Sequence, residues 1–154
     1  MSNNDILRSL RYTFDFGDDK MMNLFEQGGQ PVTRAQVSSW LKKDDDPDFL
    51  PLYDKDLAAF LNGLITDKRG NKDGNAPAPE KSLNNNTIFR KLKIAMAMKD
   101  EDILEILGLA DFRFSKHELS ALFRNPSQSQ FRPCKDQVLR NFLRGLQIKH
   151  RGLN

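Results

Sequence analysis

The sequence predicts an all-α protein of two tandem homologous four-helix units packed together, and three observations carry this prediction. First, pairing residues 3–70 with residues 85–152, at an offset of 82 and without a gap, gives 17 identities in 68 positions. Second, the stretch LAAFLNGL at 57–64 returns as LRNFLRGL at 139–146, and both keep apolar residues at the spacing of one helix face. Third, the chain lacks sustained apolar and polar alternation, the pattern of a half-buried strand.

The duplication divides the 154 residues into two small repeats of about 70 residues each. A unit of that size buries only about 60% of the surface that its unfolded chain exposes, so we expect the repeats to share apolar area. The predicted organisation is a first helical repeat at 1–70, an exposed linker at 71–82 and a second helical repeat at 83–154. The linker is assigned because it has almost no apolar residue to bury.

The first helix of each repeat is expected to start at an asparagine. Asn4 and Asn86 each precede a run with helical apolar spacing. Asparagine is a preferred N-cap because its side-chain oxygen accepts an otherwise unpaired backbone N–H. These two residues are therefore the predicted N-caps.

The second helix is expected to start at paired acids, whose charge favours the positive end of the helix dipole. The acids are Asp18 with Asp19 in the first repeat and Asp100 with Glu101 in the second. Glycines then mark the predicted end of this helix, at Gly28 and Gly29 and at Gly108.

The third helix has the most specific start signal in the chain. Residues 33–36, Thr-Arg-Ala-Gln, and residues 115–118, Ser-Lys-His-Glu, both match the capping box. In this motif a hydroxyl and an amide or carboxylate satisfy backbone N–H groups reciprocally. A helix is therefore predicted to follow each box.

The fourth helix contains a glycine at the same place in both repeats. Asp54 and Asp136 are the predicted N-caps, and an Arg-Gly pair ends each helix, at 69–70 and 151–152. Gly63 and Gly145 lie inside these helices, where glycine costs about 1 kcal/mol relative to alanine. We expect that a neighbouring backbone or ring packs close to each of them.

The charge is distributed unevenly between the repeats. Residues 1–70 carry 9 Lys and Arg against 12 Asp and Glu, a net charge of −3. Residues 83–154 carry 13 against 7, a net charge of +6. The second repeat is therefore the better candidate for contact with a polyanion.

Cys134 is the single cysteine, so an intrachain disulfide is excluded. It aligns with Leu52 and is expected to be a small buried apolar residue. The N-terminus does not resemble a signal peptide, and the chain has no apolar stretch approaching the roughly 18 residues of a membrane span. These observations predict a cytoplasmic protein with no membrane partner.

A resemblance supports the duplication. The paired Asn openings, the VSSWLKK run at 37–43 and the FLxGL stretches followed by Arg-Gly resemble the bacterial YehS family, small proteins made of two copies of a domain of unknown function. The resemblance covers nearly the whole chain. It implies the tandem architecture and supplies no activity, cofactor or functional residue.

The sequence predicts no enzyme activity, cofactor or metal. His117 and His150 align with Ala35 and Lys68, so neither position is used in both repeats. The acidic run at 44–48 lacks the glycine and glutamate of an EF-hand loop, which favours a charged surface turn. The chain also lacks a glycine-rich phosphate loop and a nucleophile motif.

The outer face of helix 3 is the best candidate site, because cations and a serine recur there at four-residue spacing in both repeats. The candidate nucleic-acid-binding residues are Arg34, Ser38 and Lys42 in the first repeat and Lys116, Ser120 and Arg124 in the second. Their context resembles a helix-turn-helix, with a connection some three residues longer than usual. The alternative is the solvated face of an ordinary amphipathic helix.

Two functions therefore stay open. The sequence predicts a tandem helical binding module, either for nucleic acid through helix 3 or for a protein partner as an interaction or adaptor module. In the second case the two units present a groove to a partner peptide or dimerise, and the oligomeric state stays open. Exposure of surplus aromatic residues would favour the second. These residues are Phe14, Phe16, Phe112, Phe114 and Phe131.

Overall fold

The computed structural model describes residues 1–71 and 77–152, and its regular secondary structure in those ranges is entirely helical. The all-α prediction is confirmed for these residues. Within the same ranges, every helix is too short or too polar to cross a membrane. The helices are α1 (Asn3–Phe14), α2 (Asp18–Gln27), α3 (Arg34–Leu41), α4 (Asp54–Arg69), α5 (Asn85–Ala95), α6 (Asp100–Leu109), α7 (Lys116–Leu122) and α8 (Asp136–Arg151).

The chain divides into two compact units, Met1–Leu83 and Asn84–Asn154. Helices α1 to α4 belong to the first unit and α5 to α8 to the second, as two tandem homologous units require. Of the predicted linker at 71–82, residues 72–76 lie outside the described residues. The boundaries inferred from the sequence therefore stay predictions.

Two glycines let α2 and α4 of the first unit approach each other backbone to backbone. A Cβ added at Gly63 would lie 1.7 Å from the carbonyl oxygen of Leu24. A Cβ added at Gly28 would lie 1.7 Å from the carbonyl oxygen of Ala59. Because no side chain fits these spaces, glycine is required at both positions, and the close approach predicted at Gly63 is confirmed.

The second unit repeats this arrangement in part. A Cβ added at Gly145 would lie 2.0 Å from the carbonyl oxygen of Ile106 in α6. Ala110 occupies the position that is equivalent to Gly28, so the backbone there leaves room for a methyl group. The close approach predicted at Gly145 is therefore confirmed, with one such glycine contact instead of two.

An aromatic cluster lies in the core of each unit. Phe25 and Phe60 of the first unit and Phe89 and Phe142 of the second are fully buried. The pairs, with their ring-centroid distances, are Phe25 and Trp40 (5.1 Å), Phe25 and Phe60 (5.2 Å), Phe89 and Phe123 (5.3 Å), and Phe89 and Phe142 (4.4 Å). The repeated Phe-Leu stretch is therefore core, as its periodicity indicates.

The predicted N-caps of the first helices were wrong. Ser2 caps α1 and Asn84 caps α5, each accepting a backbone N–H with its side-chain oxygen. Asn4 and Asn86 lie inside these helices and are buried. The N-cap prediction followed the local preference of asparagine for helix starts. In the structure the side chains of Asn4 and Asn86 instead bond to other parts of the fold.

Asn4 joins α1 to the segment that connects α3 and α4. Its amide donates to the carbonyl oxygens of Trp40 and Leu50, both at 2.9 Å. Its carbonyl oxygen accepts the backbone N–H of Leu52 at 3.0 Å. One side chain thus satisfies three backbone groups, one in the last turn of α3 and two in the segment that follows it.

Asn86 makes the same bonds in the second unit. Its amide donates to the carbonyl oxygens of Leu122 and Arg132 at 2.9 Å, and its oxygen accepts the N–H of Cys134 at 2.8 Å. Equivalent partners at an offset of 82 show that this segment follows the same path in both units.

We expect Asn86→Ala to lower the free energy of unfolding by about 1–3 kcal/mol, because it leaves backbone groups unpaired in a largely buried place. Urea unfolding of the full chain measures this change. Asn141→Ala is the matched control, since the Asn141 amide donates to the carbonyl oxygen of Gln137 one turn earlier in the same helix, α8. Its change should stay within about 0.5 kcal/mol. Equal losses in the two variants would contradict the role given to Asn86.

The capping boxes of α3 and α7 are confirmed. Gln36 N–H donates to Thr33 Oγ1 at 3.1 Å, and Thr33 N–H donates to Gln36 Oε1 at 2.8 Å. Ser115 and Glu118 make the same two bonds at 3.0 Å. The start of each helix is thus fixed by its own local sequence.

Asp54 and Asp136 are the first residues inside α4 and α8, one position after the N-cap, so their assignment as caps was wrong. Each carboxylate instead accepts an amide from the start of the first helix. Asn3 donates to Asp54 at 2.8 Å, and Asn85 donates to Asp136 at 2.7 Å. The bond from Asn85 is the main cause that lowers the pKa of Asp136.

The predicted helix ends were correct for α2, α4 and α8 and wrong for α6. Gly70 and Gly152 follow α4 and α8 with positive φ of 79° and 67°. Gly108 lies inside α6, which continues to Leu109 and is capped by Ala110. Glycine stops a helix only where the backbone turns, and at Gly108 the helical hydrogen bonds continue.

Cys134 is a buried apolar residue, as predicted. It is 6% exposed, close to the 4% of Leu52 at the equivalent position. Burial raises the pKa of its thiol to about 12. Its role is therefore packing, because a thiol with so high a pKa supplies almost no thiolate.

Candidate functional site

The predicted basic stripe lies only partly on a helix. In the first unit Arg34 and Ser38 are exposed on α3, whereas Lys42 is the residue that caps its C-terminus. The Lys42 carbonyl accepts a bond from Arg8 at 2.8 Å. The third position of the stripe therefore belongs to the connection after α3.

The second unit shows the same limit. Lys116 and Ser120 lie on α7, which ends at Leu122. Arg124 follows two residues later, is half-buried, and has a buried Nε that lacks a hydrogen-bond partner among the described residues. The spacing expected of a continuous helix thus does not place the three residues on one helical surface.

The first cation of each stripe is paired with acids at the start of the preceding helix. Arg34 donates to Asp18 at 3.1 Å and to Asp19 at 2.5 Å, and these bonds, the one to Asp19 first, raise the pKa of Arg34. Lys116 lies 3.4 Å from a carboxylate oxygen of Glu101. A phosphate approaching either helix start would therefore meet carboxylates as well as cations.

The connection before α3 and α7 is longer than a helix-turn-helix turn. Residues 28–33 separate α2 from α3, and residues 110–115 separate α6 from α7. Helix-turn-helix motifs use turns of about 3–4 residues. The helix-turn-helix hypothesis therefore draws no support from this geometry and stays a prediction.

A groove of about 580 Å³ lies on the second unit, next to α7. Its lining comes from the segment before α7, from α7 itself and from the segment that leads into α8. The lining residues are Phe112, Arg113, Phe114, His117, Glu118, Ala121, Leu122, Gln130, Arg132, Pro133, Lys135, Gln137 and Val138. We call this space the α7 groove.

The α7 groove has an apolar floor and an aromatic wall. Ala121, Leu122 and Val138 are buried with 3–7% of their surface exposed. Phe112 and Phe114 are half-buried, and their ring centroids lie 5.7 Å apart. An apolar side chain that entered the groove would therefore replace water by carbon contacts.

Cations dominate the rim of the α7 groove. Arg113, Arg132 and Lys135 are exposed there. The one acid of the lining, Glu118, accepts the Ser115 N–H in the capping box. The groove therefore combines an apolar interior with a positive edge, and that combination suits an acidic ligand with an apolar group.

The first unit carries different residues at the equivalent positions. Trp40 replaces Leu122 and is 5% exposed, so a larger ring occupies that place. Gln30 and Asp56 replace Phe112 and Val138, and a hydrogen bond of 2.5 Å joins their side chains. The repeats thus share a fold and differ at this surface.

The acidic run at 44–48 is a surface turn in which Asp46 Oδ1 accepts the N–H of Asp48 at 2.8 Å. Within residues 1–71 and 77–152, His, Cys, Asp and Glu form no group of three that could hold a metal ion. His117 is exposed and lines the α7 groove, and His150 is exposed on α8. The surplus phenylalanines named above are all half-buried.

Sequence reasoning missed the α7 groove because its residues come from α7 and from the irregular segments on either side of it, which the periodicity of one helix does not bring together. From the sequence, Phe112 and Phe114 stand out only as surplus aromatic residues. The available signal was divergence between the repeats, since Leu50 and Tyr53 align with Arg132 and Lys135. At these surface positions the backbone follows the same path in both units, while the side chains change from apolar to cationic.

Comparison with known proteins agrees with the duplicated architecture. A family model described as "Protein of unknown function (DUF1456)" matches the chain twice, at residues 3–70 and 85–152. The Escherichia coli K12 protein named "Uncharacterized protein YehS" is 45% identical over 148 residues, which cover 95% of this chain and 94% of that protein. No solved structure matches the chain. The resemblance to the YehS family is confirmed.

Proposed function

We propose that this chain, which belongs to the DUF1456 family, is a protein-interaction module without catalytic activity, and that its second unit recognises an acidic partner segment. The observation that carries this proposal is the α7 groove, with its apolar floor and cationic rim. The first unit lacks the three rim cations at the equivalent positions, which are Pro31, Leu50 and Tyr53. Duplication followed by divergence therefore leaves recognition to one repeat.

The apolar interior and the cationic rim of the α7 groove contribute to peptide binding in different ways. Burial of an apolar anchor side chain against Leu122 and Val138 favours binding by about 25 cal/mol per Å² of apolar surface. The exposed cations add less affinity, since solvent screens them, but they steer and orient an acidic segment. An apolar anchor flanked by carboxylates satisfies both parts.

The absence of catalysis belongs to the same proposal. Cys134 is unsuited to nucleophilic attack because burial raises the pKa of its thiol to about 12. His117 stands at the groove beside Glu118, whose carboxylate already accepts the Ser115 N–H. The groove therefore offers contacts for binding and no activated nucleophile.

We expect a short synthetic peptide, in which leucine and tyrosine alternate with aspartates, to bind the full chain. Reversing the rim charges with Arg113→Glu, Arg132→Glu and Lys135→Glu should weaken binding at least tenfold, about 1.4 kcal/mol. Fluorescence anisotropy of a labelled peptide measures this loss. The same peptide with asparagine in place of aspartate should also bind more weakly.

A matched triple variant separates the groove from net charge. Arg140, Arg144 and Lys149 are exposed on α8 of the same unit and do not line the groove. Their replacement by glutamate changes the net charge by the same amount and should leave peptide affinity within a factor of about two to three. Equal losses in the two triple variants would contradict the groove proposal.

Nucleic-acid binding through α7 is the second candidate, favoured by the net charge of +6 over residues 83–154. It predicts that Lys116→Ala with Arg124→Ala flattens the slope of log affinity against log salt by nearly two, about 0.9 for each lost phosphate contact on duplex DNA. We expect instead that duplex and single-stranded DNA bind more weakly than about 10⁻⁴ M in titrations at low salt. Tighter binding with the flattened slope would favour this candidate.

A further inference from the structure

We infer that the α7 groove binds residues 44–53 of a second molecule of this chain, so that the protein associates with itself head to tail. This inference rests on the proposed role of the groove and names one partner for it. The first unit supplies the ligand and the second unit supplies the site. The two surfaces occupy equivalent places on the two repeats.

The segment 44–53 combines exposed apolar side chains with carboxylates. Leu50 is 47% exposed and Tyr53 is 68% exposed, and they are among the few large apolar residues on the surface of the described chain. Asp44, Asp45 and Asp48 precede them and are exposed. An apolar anchor with acidic neighbours is the chemistry that the α7 groove accepts.

These apolar residues share one surface of the first unit. Leu50 and Tyr53 are equivalent to Arg132 and Lys135, which both line the α7 groove. The backbone follows the same path in both units, because Leu50 N–H donates to Ser39 O at 3.2 Å and Arg132 N–H donates to the equivalent carbonyl at 3.1 Å. Leu50 and Tyr53 therefore lie on the part of the first unit that is equivalent to the α7 groove of the second unit.

The charges of the two units are complementary. Residues 1–70 carry −3 and residues 83–154 carry +6, so contact between unlike units of two molecules is attractive and contact between like units is repulsive. Such a contact is heterologous, because the two molecules contribute different surfaces. It produces assemblies whose mass rises with concentration.

The test begins with sedimentation of the full chain at concentrations up to about 1 mM, where weak association is populated. We expect the average mass to rise with concentration and to fall toward that of one chain at high salt. Reversal of the rim cations to glutamate, or Asp44→Lys with Asp45→Lys and Asp48→Lys, should each abolish association. A wild-type chain that stays monomeric throughout would overturn the inference.

The decisive experiment mixes the two charge-reversed variants. The reversed groove and the reversed segment are again opposite in charge, so an equimolar mixture should associate although neither variant does so alone. Variants that fold, shown by helical circular dichroism, but fail to associate when mixed would overturn the inference. Association of the mixture would show that neither variant had lost association on its own through a general loss of stability.

The variant Leu50→Ser with Tyr53→Ser separates this inference from the proposed function. It removes the anchors and leaves the groove intact, and serine at position 53 is a favourable N-cap for α4. It should lose self-association and keep full affinity for the acidic peptide. Peptide binding by a strictly monomeric wild-type chain would overturn self-association alone, whereas absence of peptide binding would overturn the groove itself.

Discussion

Replacing Gly63 by alanine is expected to destabilise the first unit strongly, although alanine is normally the better helix residue by about 1 kcal/mol. The added Cβ would lie 1.7 Å from the carbonyl oxygen of Leu24, which belongs to the backbone of α2 and cannot move aside as a side chain can. The helices must separate, and because the obstacle is backbone we expect a cost at the upper end of the about 1–3 kcal/mol that is typical of overpacking. Denaturant unfolding of the full chain measures the loss.

Gly108→Ala is the matched control with the opposite sign. Gly108 lies inside α6, and apart from the adjoining backbone of that helix no heavy atom of the described chain is within 4 Å of a Cβ added there. Alanine should therefore stabilise the second unit by up to about 1 kcal/mol. If Gly63→Ala and Gly108→Ala changed the free energy of unfolding in the same direction and by the same amount, the close approach of α2 and α4 would be contradicted.

Phe142→Ala is the second large effect, an expected loss of about 3–5 kcal/mol. The ring is fully buried and lies 4.4 Å, centroid to centroid, from the ring of Phe89. Its removal leaves a cavity in a small unit whose whole stability is of the order of 5–15 kcal/mol. Thermal unfolding followed by circular dichroism measures the result.

Tyr53→Ala serves as the control for Phe142→Ala, because it deletes an aromatic ring that is 68% exposed. We expect it to change stability by less than about 0.5 kcal/mol. If the Phe142→Ala chain had the same melting temperature as the wild-type chain, the repeated Phe-Leu stretch would not form the core.

The sequence predicted the features of the fold that depend on local rules. The capping boxes at Thr33 and Ser115 were correct because the hydroxyl and its N–H partners lie within one helical turn. The close approach at Gly63 and Gly145 was predicted because glycine destabilises a helix interior. Its presence at the same place in both repeats therefore indicates a close neighbour. The duplication itself made both inferences stronger, since each pattern occurred twice.

The features that local rules misplaced depend on distant partners. Asn4 was assigned to a helix start, but its amide bonds to carbonyl groups 36 and 46 residues away. Such a role becomes visible only when the folded segment brings Trp40 and Leu50 to α1. Asp54 was likewise assigned as a cap, whereas its carboxylate bonds to the amide of Asn3.

The candidate site was predicted in part. The stripe through Lys116 and Ser120 assumed a helix long enough to carry a third residue, and α7 ends before Arg124. The pairing of Arg34 with two aspartates of α2 required knowledge of how α2 and α3 meet. The α7 groove depends on α7 and on the irregular segments on either side of it, so periodicity along one helix could not indicate it.

The central claim is that the α7 groove is the recognition surface of this protein, and chemical-shift mapping tests it most directly. The ¹⁵N-labelled full chain is titrated with the acidic leucine and tyrosine peptide, and backbone amide shifts are followed. We predict that the largest amide shifts fall at residues 112–114, 130–132 and 134–135. Shifts spread over the cations of both units, or confined to Lys116, Ser120 and Arg124, would contradict it.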